Sequence, residues 1–321
     1  MPQLKKLDLG YLGVSSIGEL FALNCWWDNL TELVFYSTTT ITGRRFHFGP
    51  MELLAILERT PQLRLCRADV AINEPFHFPH SHNKLKLKYL HTMILAPKRG
   101  TQSFPDGGSV QAVSRAICAL TNFPSLHTIS ISTGFDSYLK MQDVLFPSPL
   151  QNLMHLRLEI LLSPQSLAKW LISASNLTIL EITDLGYMPP STNRAVSVLK
   201  NHHLANLCSA QSPANVCPHL TTFRFQSLRT NRLSSLPSNV FLDFLERKRW
   251  PAAPSQISRL EVCDLILSGP DEGTAPAIES VERWKKLHQD GLKLSVHYHT
   301  YYDSGSLVAS KERDSPEECL P

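Results

Sequence analysis

The sequence predicts an α/β fold in which parallel strands stack side by side and helices cover one face of the sheet. Three observations support this prediction. A short apolar pattern typical of a strand recurs along almost the whole chain, turn residues follow its copies, and segments with helical spacing connect most of them. Because one strand–helix unit cannot bury its own apolar face, we expect such units to stack into a continuous core.

Each copy of the pattern has an apolar residue, a second one three positions later and a third two positions after that. The last two lie two positions apart, so they face the same side of a strand, and the residue between them faces the other side. Nine copies and a closing strand occur: Leu4/Leu7/Leu9, Leu30/Leu33/Phe35, Leu63/Cys66/Ala68, Leu90/Met93/Leu95, Leu126/Ile129/Ile131, Leu153/Leu156/Leu158, Leu177/Leu180/Ile182, Leu220/Phe223/Phe225, Ile257/Leu260/Val262 and the closing Leu292/Leu294/Val296.

The segments between these strands carry helix signals. Ser16 and Glu19 fit a capping box, and Ser163-Pro164 supplies an N-cap residue followed by a proline at the first helical position. Apolar residues at spacings of three and four continue each helix toward its end. The predicted helices cover residues 16–23, 51–58, 110–120, 163–171, 240–245 and 278–287.

The apolar pattern resembles the leucine-rich repeat, whose unit opens L-x-x-L-x-L. The resemblance covers roughly residues 1–300 and implies a curved solenoid, with a parallel sheet on its concave face and helices on its convex face. Many such repeats place Asn or Cys eight positions after the first leucine. In five repeats of this chain that position holds leucine instead: Leu12, Leu161, Leu185, Leu228 and Leu265.

The missing polar position and the irregular unit lengths make the chain similar to the divergent repeat arrays of fungal F-box-like proteins. That resemblance implies substrate recognition for a cullin–RING ubiquitin ligase. The F-box itself is not visible, because residue 4 already lies inside a repeat. The adaptor-binding part would therefore have to be supplied elsewhere.

The predicted domain organisation is a solenoid of about nine irregular repeats plus the closing strand over residues 1–300, followed by a disordered polar tail over residues 303–321. Solenoids need a polar-faced cap at each end. The sequence offers none before the first repeat, so we expect self-association through residues 1–30.

Composition restricts the class of protein. The chain has 321 residues and a net charge of +3, from 31 Lys and Arg against 28 Asp and Glu, which is too balanced to indicate a polyanionic partner. The seven cysteines are odd in number and widely spaced, which disfavours a disulfide framework. The start lacks a signal-peptide pattern, and no apolar run is long enough to span a membrane. We therefore expect a reduced protein of the cytoplasm or nucleus with no membrane association.

Enzyme signatures are absent from the sequence. It contains no GxGxxG, GxxxxGK[ST], GxSxG or HExxH motif, so we predict a non-enzymatic protein without catalytic residues, cofactor or metal. His77, His80 and His82 in FHFPHSH could ligate zinc or copper, but no fourth ligand stands at metal-site spacing. An exposed loop between repeats is the alternative interpretation of this segment.

The alternation of side chains between the two faces of each strand predicts where a partner binds. The residues that alternate with the apolar triplets form a surface of mixed charge, which suits a protein or peptide better than a nucleic acid. We expect an unidentified protein partner to contact this concave surface. Its predicted contact residues are Tyr36, Arg67, Arg157, Glu159, Glu181, Arg224, Gln226, Arg259 and Glu261.

Two other function classes remain as alternatives. Residues 84–99 are the most basic stretch, so a nucleic-acid-binding repeat module could use them, with a steep salt dependence of binding. A cryptic enzyme would need a deep pocket with convergent ionisable groups. One tryptophan of the Trp26-Trp27 pair could also serve as an exposed anchor at an interface.

Overall fold

A computed structural model describes residues 4–9, 17–22, 26–35, 38–39, 45–46, 49–72, 85–99, 121–132, 150–159, 164–184, 216–227, 239–250, 258–268, 278–301 and 307–311. The chain divides into two compact units, Met1–Leu153 (unit 1) and Met154–Pro321 (unit 2). Both units combine a parallel sheet with helices, and in the described residues the main sheet of each unit has five parallel strands. The predicted α/β class is therefore confirmed. None of the described helices is long and apolar enough to cross a lipid bilayer.

Unit 1 builds its main sheet from five parallel strands in the order β1-β2-β5-β7-β9. β3 and β4 form a separate antiparallel pair, and β6 and β8 form a short parallel pair. The elements are β1 (Lys6–Asp8), α1 (Ile17–Ala22), β2 (Glu32–Phe35), β3 (Thr38–Thr39), β4 (Arg45–Phe46), α2 (Pro50–Arg59), β5 (Leu65–Ile72), β6 (Leu85–Lys86), β7 (Thr92–Arg99), β8 (Thr121–Asn122) and β9 (Thr128–Ser132).

The register of this sheet follows the apolar triplets. The second apolar residue of each repeat stands opposite the second apolar residue of the next one, and this row is buried from the second strand onward. At the first strand Leu4 is 40 % exposed, whereas Leu9 is buried. The aligned row is Leu7, Leu33, Cys66, Met93 and Ile129.

Unit 2 repeats the design with five parallel strands in the order β10-β11-β12-β13-β14. A sixth strand, β15, pairs antiparallel with β14. The elements are β10 (His155–Glu159), α3 (Pro164–Ser173), β11 (Ile179–Asp184), β12 (Thr222–Ser227), α4 (Asn239–Arg249), β13 (Val262–Ser268), α5 (Ile278–Gln289), β14 (Lys293–Tyr301) and β15 (Leu307–Lys311).

Two of these elements bear on the sequence predictions. α3 begins at Pro164, as the Ser163-Pro164 signal indicates. β15 differs from the prediction, because the sequence predicts a disordered tail from residue 303 and the structure places Leu307–Lys311 in a strand. Leu307 and Val308 are apolar residues typical of a strand. The charged residues that follow them make the whole segment resemble a polar tail in the sequence. The helix predicted over residues 110–120 lies outside the described residues.

An aromatic cluster fills the space between the sheet and helices of unit 2. The ring of Phe223 on β12 lies 5.5 Å from that of Phe244 and 5.9 Å from that of Phe241, both on α4. Phe241 in turn lies 6.1 Å from Trp284 on α5. Since all four side chains are buried, this cluster joins both helices to one face of the sheet.

A backbone turn recurs at the entrance to the strands. The first leucine of a repeat donates its N–H to the carbonyl three residues earlier, as Leu177 does to Ala174 at 3.1 Å. The carbonyl of the residue that follows the first leucine then accepts two N–H groups from the next strand. Met154, for example, accepts from Thr178 at 2.8 Å and from Ile179 at 2.9 Å. These bonds fix the register even where the polar position of the commonest repeat is missing.

The ninth repeat has a different register from the predicted one. The sequence assigns Ile257, Leu260 and Val262 to the apolar triplet, but β13 pairs Phe223 with Cys263 and therefore makes Cys263 the second apolar residue. The observed triplet is Leu260/Cys263/Leu265, and all three side chains are buried. The prediction was wrong by three residues because two overlapping frames both satisfy the pattern, and cysteine is the less obvious apolar residue.

An ion pair holds the end of α4 against the turn that follows α5. Arg249 Nε donates to Asp290 Oδ2 at 2.7 Å, and Trp250 Nε1 donates to the same oxygen at 2.9 Å. Arg249 also donates to the carbonyl of Leu260 at 2.9 Å, so its buried guanidinium is well satisfied. The turn passes through Gly291 at φ +87°, a conformation that favours glycine.

We expect Asp290→Asn to change the acid dependence of stability. The hydrogen bond from Arg249, followed by that from Trp250, lowers the pKa of Asp290 below its ordinary value of 3.8. A lowered pKa in the folded state stabilises the protein above the unfolded-state pKa, and this contribution is lost as the pH falls through the folded-state pKa. The variant should therefore melt at a lower temperature than the wild type at pH 6, and the difference in melting temperature should shrink as the pH falls below 3.8. A melting difference that does not change with pH would contradict this role.

Candidate functional site

The candidate site is the face of the unit 2 sheet that points away from the helices. Phe223 and Phe225 are buried on the helix side of β12, so Arg224 between them lies on the opposite face, where it is exposed. The parallel registers then align one residue from each strand with Arg224. This row, across the five parallel strands, is Arg157, Glu181, Arg224, Asp264 and Ser295.

Glu181 is the centre of the charges in this row. Arg224 Nη1 donates to Glu181 Oε1 at 2.7 Å, and Arg157 Nε lies 4.0 Å from Oε2. The imidazole Nε2 of His155 lies 3.3 Å from Oε1. One carboxylate on the middle of three neighbouring strands is therefore close to a guanidinium from each side.

The two arginines also bind carboxylates farther out. Arg157 Nε donates to Glu159 Oε1 at 3.0 Å, and Arg224 Nε donates to Asp264 Oδ2 at 3.0 Å. The hydroxyl of Ser295 donates to the other oxygen of Asp264. The hydrogen bonds to Glu181 and then to Asp264 raise the pKa of Arg224 above its already high ordinary value, so this guanidinium stays charged. We call Arg157, Glu181, Arg224 and Asp264 the charge ladder.

The charges of the ladder and of the neighbouring Glu159 lie at different depths. The side chains of Arg157 and Arg224 are 47 % and 52 % exposed, whereas those of Glu159 and Glu181 are only 16 % and 15 % exposed and that of Asp264 is 30 % exposed. The longer arginine side chains thus extend over shorter or more enclosed acidic ones. Within the ladder, the groups most exposed to solvent are the two guanidinium groups, each held in place by carboxylates beneath it.

The rows on either side of the ladder are largely uncharged. They place small polar or aliphatic side chains between the charged ones, and most of these side chains are half-buried. Lys293, at the entrance to β14, is the charged and exposed exception toward the end of the sheet. The other flanking residues are His155, Glu159, Ile179, Thr183, Thr222, Gln226, Val262, Ile266 and His297.

Five of the nine predicted contact residues lie on this face: Arg157, Glu159, Glu181, Arg224 and Gln226. Arg67 occupies the equivalent outward position on β5 of unit 1, where it is exposed. Tyr36 lies outside the described residues. The outward row of unit 1 carries fewer charges than the ladder, and two of its members, Val34 and Ser130, are buried.

The register that the sequence predicts for Arg259 and Glu261 was wrong by three residues, and their contact with a partner stays a prediction. Both are exposed, but they precede β13, and the backbone carbonyl of Glu261 accepts the N–H of Lys293 at the strand entrance. The shifted register puts Asp264 opposite Arg224 instead. The sequence prediction did not include Asp264, because the predicted register of the ninth repeat was shifted by three residues. The sequence does contain a signal for the observed register, the L-x-x-C-x-L pattern that begins at Leu260. The third repeat also has a cysteine, Cys66, as its second apolar residue.

The remaining candidates from the sequence do not converge on a second site. Lys86 and Lys88 of the basic stretch are exposed near the entrance to β7, and Lys84 lies outside the described residues, as do His77, His80 and His82. Among the described residues, no group of three or more His, Cys, Asp or Glu could hold a metal ion.

The two tryptophans of the Trp26-Trp27 pair differ in burial. Trp26 is 70 % exposed, which is consistent with the anchor hypothesis for one member of the pair. Trp27 is buried, and its ring lies 5.6 Å from that of Phe21 in an edge-to-face arrangement. Trp27 therefore contributes to the core of unit 1.

Three buried cysteines should be unreactive in the native protein. Burial raises the pKa of Cys66 and of Cys217 to about 12, and it also raises that of Cys263. Because the thiolate is the reactive form, iodoacetamide at pH 8 should leave these three residues unmodified until urea unfolds the chain. Peptide mass mapping before and after unfolding measures this, and rapid native alkylation of any of the three would contradict the observed burial.

Comparison with known proteins gives no family to which the chain can be assigned. The chain matches no protein-family model and no curated protein sequence.

Proposed function

We propose that this protein is a non-enzymatic interaction protein that binds a protein partner on the charge ladder of unit 2. The observation that carries the proposal is the pair of half-exposed guanidinium groups on Arg157 and Arg224, each positioned by enclosed carboxylates. Arginine is enriched at the energetic centres of protein interfaces, and an arginine that is already ordered loses less entropy on binding.

The charge balance supports a protein partner over a nucleic acid. Arg157, Arg224 and Lys293 on this face are accompanied by three carboxylates, those of Glu159, Glu181 and Asp264. A nucleic-acid surface needs an excess of positive charge along the phosphate path, because affinity comes largely from counterion release. A surface with both signs close together instead selects a partner by local complementarity.

The finer proposal is substrate recognition for a cullin–RING ubiquitin ligase. It comes from the resemblance of the repeats to F-box-like arrays, and the adaptor-binding part would be supplied by another segment or subunit. If it is correct, the partner captured on the ladder should lose ubiquitin when this protein is depleted. An unchanged ubiquitin level on that partner would contradict the ligase role but not the interaction role.

Comparative affinity capture tests the main proposal. The full chain, a variant with Arg157→Gln and Arg224→Gln, and a control with Arg283→Gln are used as baits in one extract. Arg283 on α5 also binds two carboxylates, Glu246 at 2.8 Å and Asp243 at 2.6 Å, but it lies on the helix side of unit 2. We expect at least one protein to be reduced more than tenfold on the ladder variant alone. Equal recovery of all proteins by the three baits would contradict the proposal.

A further inference from the structure

We propose that His91 and His127 of unit 1 together bind one divalent transition-metal ion of the zinc, nickel or copper type. This inference goes beyond the proposed function and is independent of it, because neither histidine belongs to the charge ladder. It follows from the distance between the two imidazole rings, from the backbone that holds them and from their exposure to solvent.

The two histidines occupy the same position in neighbouring repeats. Each follows the first leucine of its repeat, and both segments read L-H-T, over residues 90–92 and 126–128. The threonines that follow the histidines stand opposite each other in the parallel pair of β7 and β9. Spacing along the chain does not predict this pair, because 36 positions separate His91 from His127.

Backbone hydrogen bonds hold the two histidines side by side. The N–H of His127 donates to the carbonyl of His91 at 2.9 Å, and the N–H of Thr128 donates to the same carbonyl at 3.0 Å. His91 in turn donates its own N–H to the carbonyl of Arg64 at 2.9 Å, at the entrance to β5. Because the backbone of His91 is bonded to both neighbouring strands, little of its freedom remains to be lost when the side chains bind an ion.

The separation of the two rings matches that of two ligands on one ion. The ring centroids of His91 and His127 are 5.4 Å apart. A zinc–nitrogen bond is about 2.0 Å long, which puts the centre of each coordinating ring about 3.2 Å from the ion. Two rings at a tetrahedral angle are then about 5.2 Å apart, which is close to the observed distance.

The orientation of the rings can change without altering this separation. The two ring planes meet at 78°, so the edge of one imidazole faces the other. The Cβ–Cγ bond of a histidine points toward the ring centre, so rotation about it turns the nitrogens while the centroid stays nearly in place, and this torsion is broad. Both histidines are exposed, which leaves room for the rotation and for water ligands on the ion.

The ligand set selects the class of ion. Neutral imidazole nitrogens suit zinc, nickel and copper, whereas magnesium and calcium prefer oxygen ligands. Among the described residues no third His, Cys, Asp or Glu side chain completes the set. Structural zinc sites use four protein ligands, so a pair of histidines predicts an ion that keeps water ligands and exchanges with solution.

The surrounding charge does not attract the ion. Arg64 is exposed at the equivalent position of the neighbouring repeat, and its positive charge opposes the binding of a cation. Salt screens that repulsion over about 8 Å at physiological ionic strength. The affinity should therefore come from coordination by the two imidazoles, and it should depend on both of them being present.

Protection from carbethoxylation tests whether one ion binds both residues. Diethyl pyrocarbonate acylates the imidazole nitrogen that a metal would occupy, and peptide mass mapping of the full chain at pH 7.5 measures each histidine separately. We expect buffered zinc to protect His91 and His127 with one common midpoint, and magnesium at the same concentrations to protect neither residue. Different midpoints for the two histidines, or equal protection by magnesium, would overturn the inference.

Single variants show whether the two imidazoles act together. In His127→Gln the zinc midpoint of His91 should rise at least about tenfold, because the second ligand of a chelate acts at a high effective concentration. His91→Gln should have the same effect on His127. An unchanged midpoint in either variant would show that each histidine binds zinc alone, and the proposed shared site would then be wrong.

His288→Gln is the matched control, since it changes an exposed histidine on α5 of unit 2. It should leave the common midpoint of His91 and His127 unchanged, and a shift as large as that of the paired variants would contradict the assignment. All three replaced side chains are exposed, so the melting temperatures measured without zinc should equal that of the wild type.

Discussion

Replacing Phe223 with alanine is expected to lower the free energy of unfolding by about 3–5 kcal/mol, the usual range for a buried aromatic side chain in a core. Phe223 is only 1 % exposed, and its ring contacts both Phe241 and Phe244 on α4. Its loss removes contacts on the sheet side of the aromatic cluster and leaves a cavity that the paired backbone of β12 cannot easily close. Urea unfolding of the full chain, followed by tryptophan fluorescence, measures the change.

Thr222→Ala is the matched control for this substitution. Thr222 precedes Phe223 on the same strand and points to the other face of the sheet, where it is half-buried. Its replacement should change the free energy of unfolding by about 0.5 kcal/mol or less. Equal losses of stability in the two variants would mean that the assignment of faces on β12 is wrong.

The second large effect is expected at Cys263. An aspartate in its place would put a carboxylate in a fully buried position among apolar side chains, which should cost about 4 kcal/mol or more. Val262→Asp should cost only about 1 kcal/mol, because Val262 is half-buried on the opposite face and Lys293 stands in register beside it. Melting temperatures of the two variants compare the costs directly.

These adjacent substitutions distinguish the two possible frames of the ninth repeat. In the frame that the sequence favours, Val262 is the core residue and Cys263 points outward. In the observed register the roles are reversed. A severe loss of stability in the Val262 variant with a mild one in the Cys263 variant would support the first frame and would remove Asp264 from the charge ladder.

The strands could be predicted from the sequence because their signal is repeated. Among the described residues, each of the ten parallel strands of the two main sheets lies at a predicted triplet or closing alternation, and in the second to eighth copies all three apolar residues are buried. The ninth repeat shows the limit of the pattern, since two frames three residues apart both fit. The choice between them depends on hydrogen bonds to the neighbouring strand, such as that from the N–H of Val262 to the carbonyl of Thr221. A pattern within one strand does not contain that information.

The candidate site could be predicted only in part. Parity identifies the face on which Arg157, Glu181 and Arg224 lie, but it treats them as equivalent charges. Their different depths arise from side-chain length and from contacts across strands that are about 24 and 43 positions apart in sequence. Arginine is long enough to extend over a neighbouring carboxylate, so Glu181 becomes enclosed and Arg224 exposed. The paired geometry that supports the proposed function is therefore a property of the folded sheet.

Isothermal titration calorimetry with a purified partner tests the central claim most directly. The partner is one that affinity capture identifies, and its dissociation constant is measured for three proteins: the wild type, the chain with Arg157→Gln and Arg224→Gln, and the Arg283→Gln control. Loss of one buried charged contact costs about 2–5 kcal/mol, so we expect at least about thirtyfold weaker binding for the ladder variant. The control should bind like the wild type. Wild-type affinity in the ladder variant, with its melting temperature unchanged, would contradict the account.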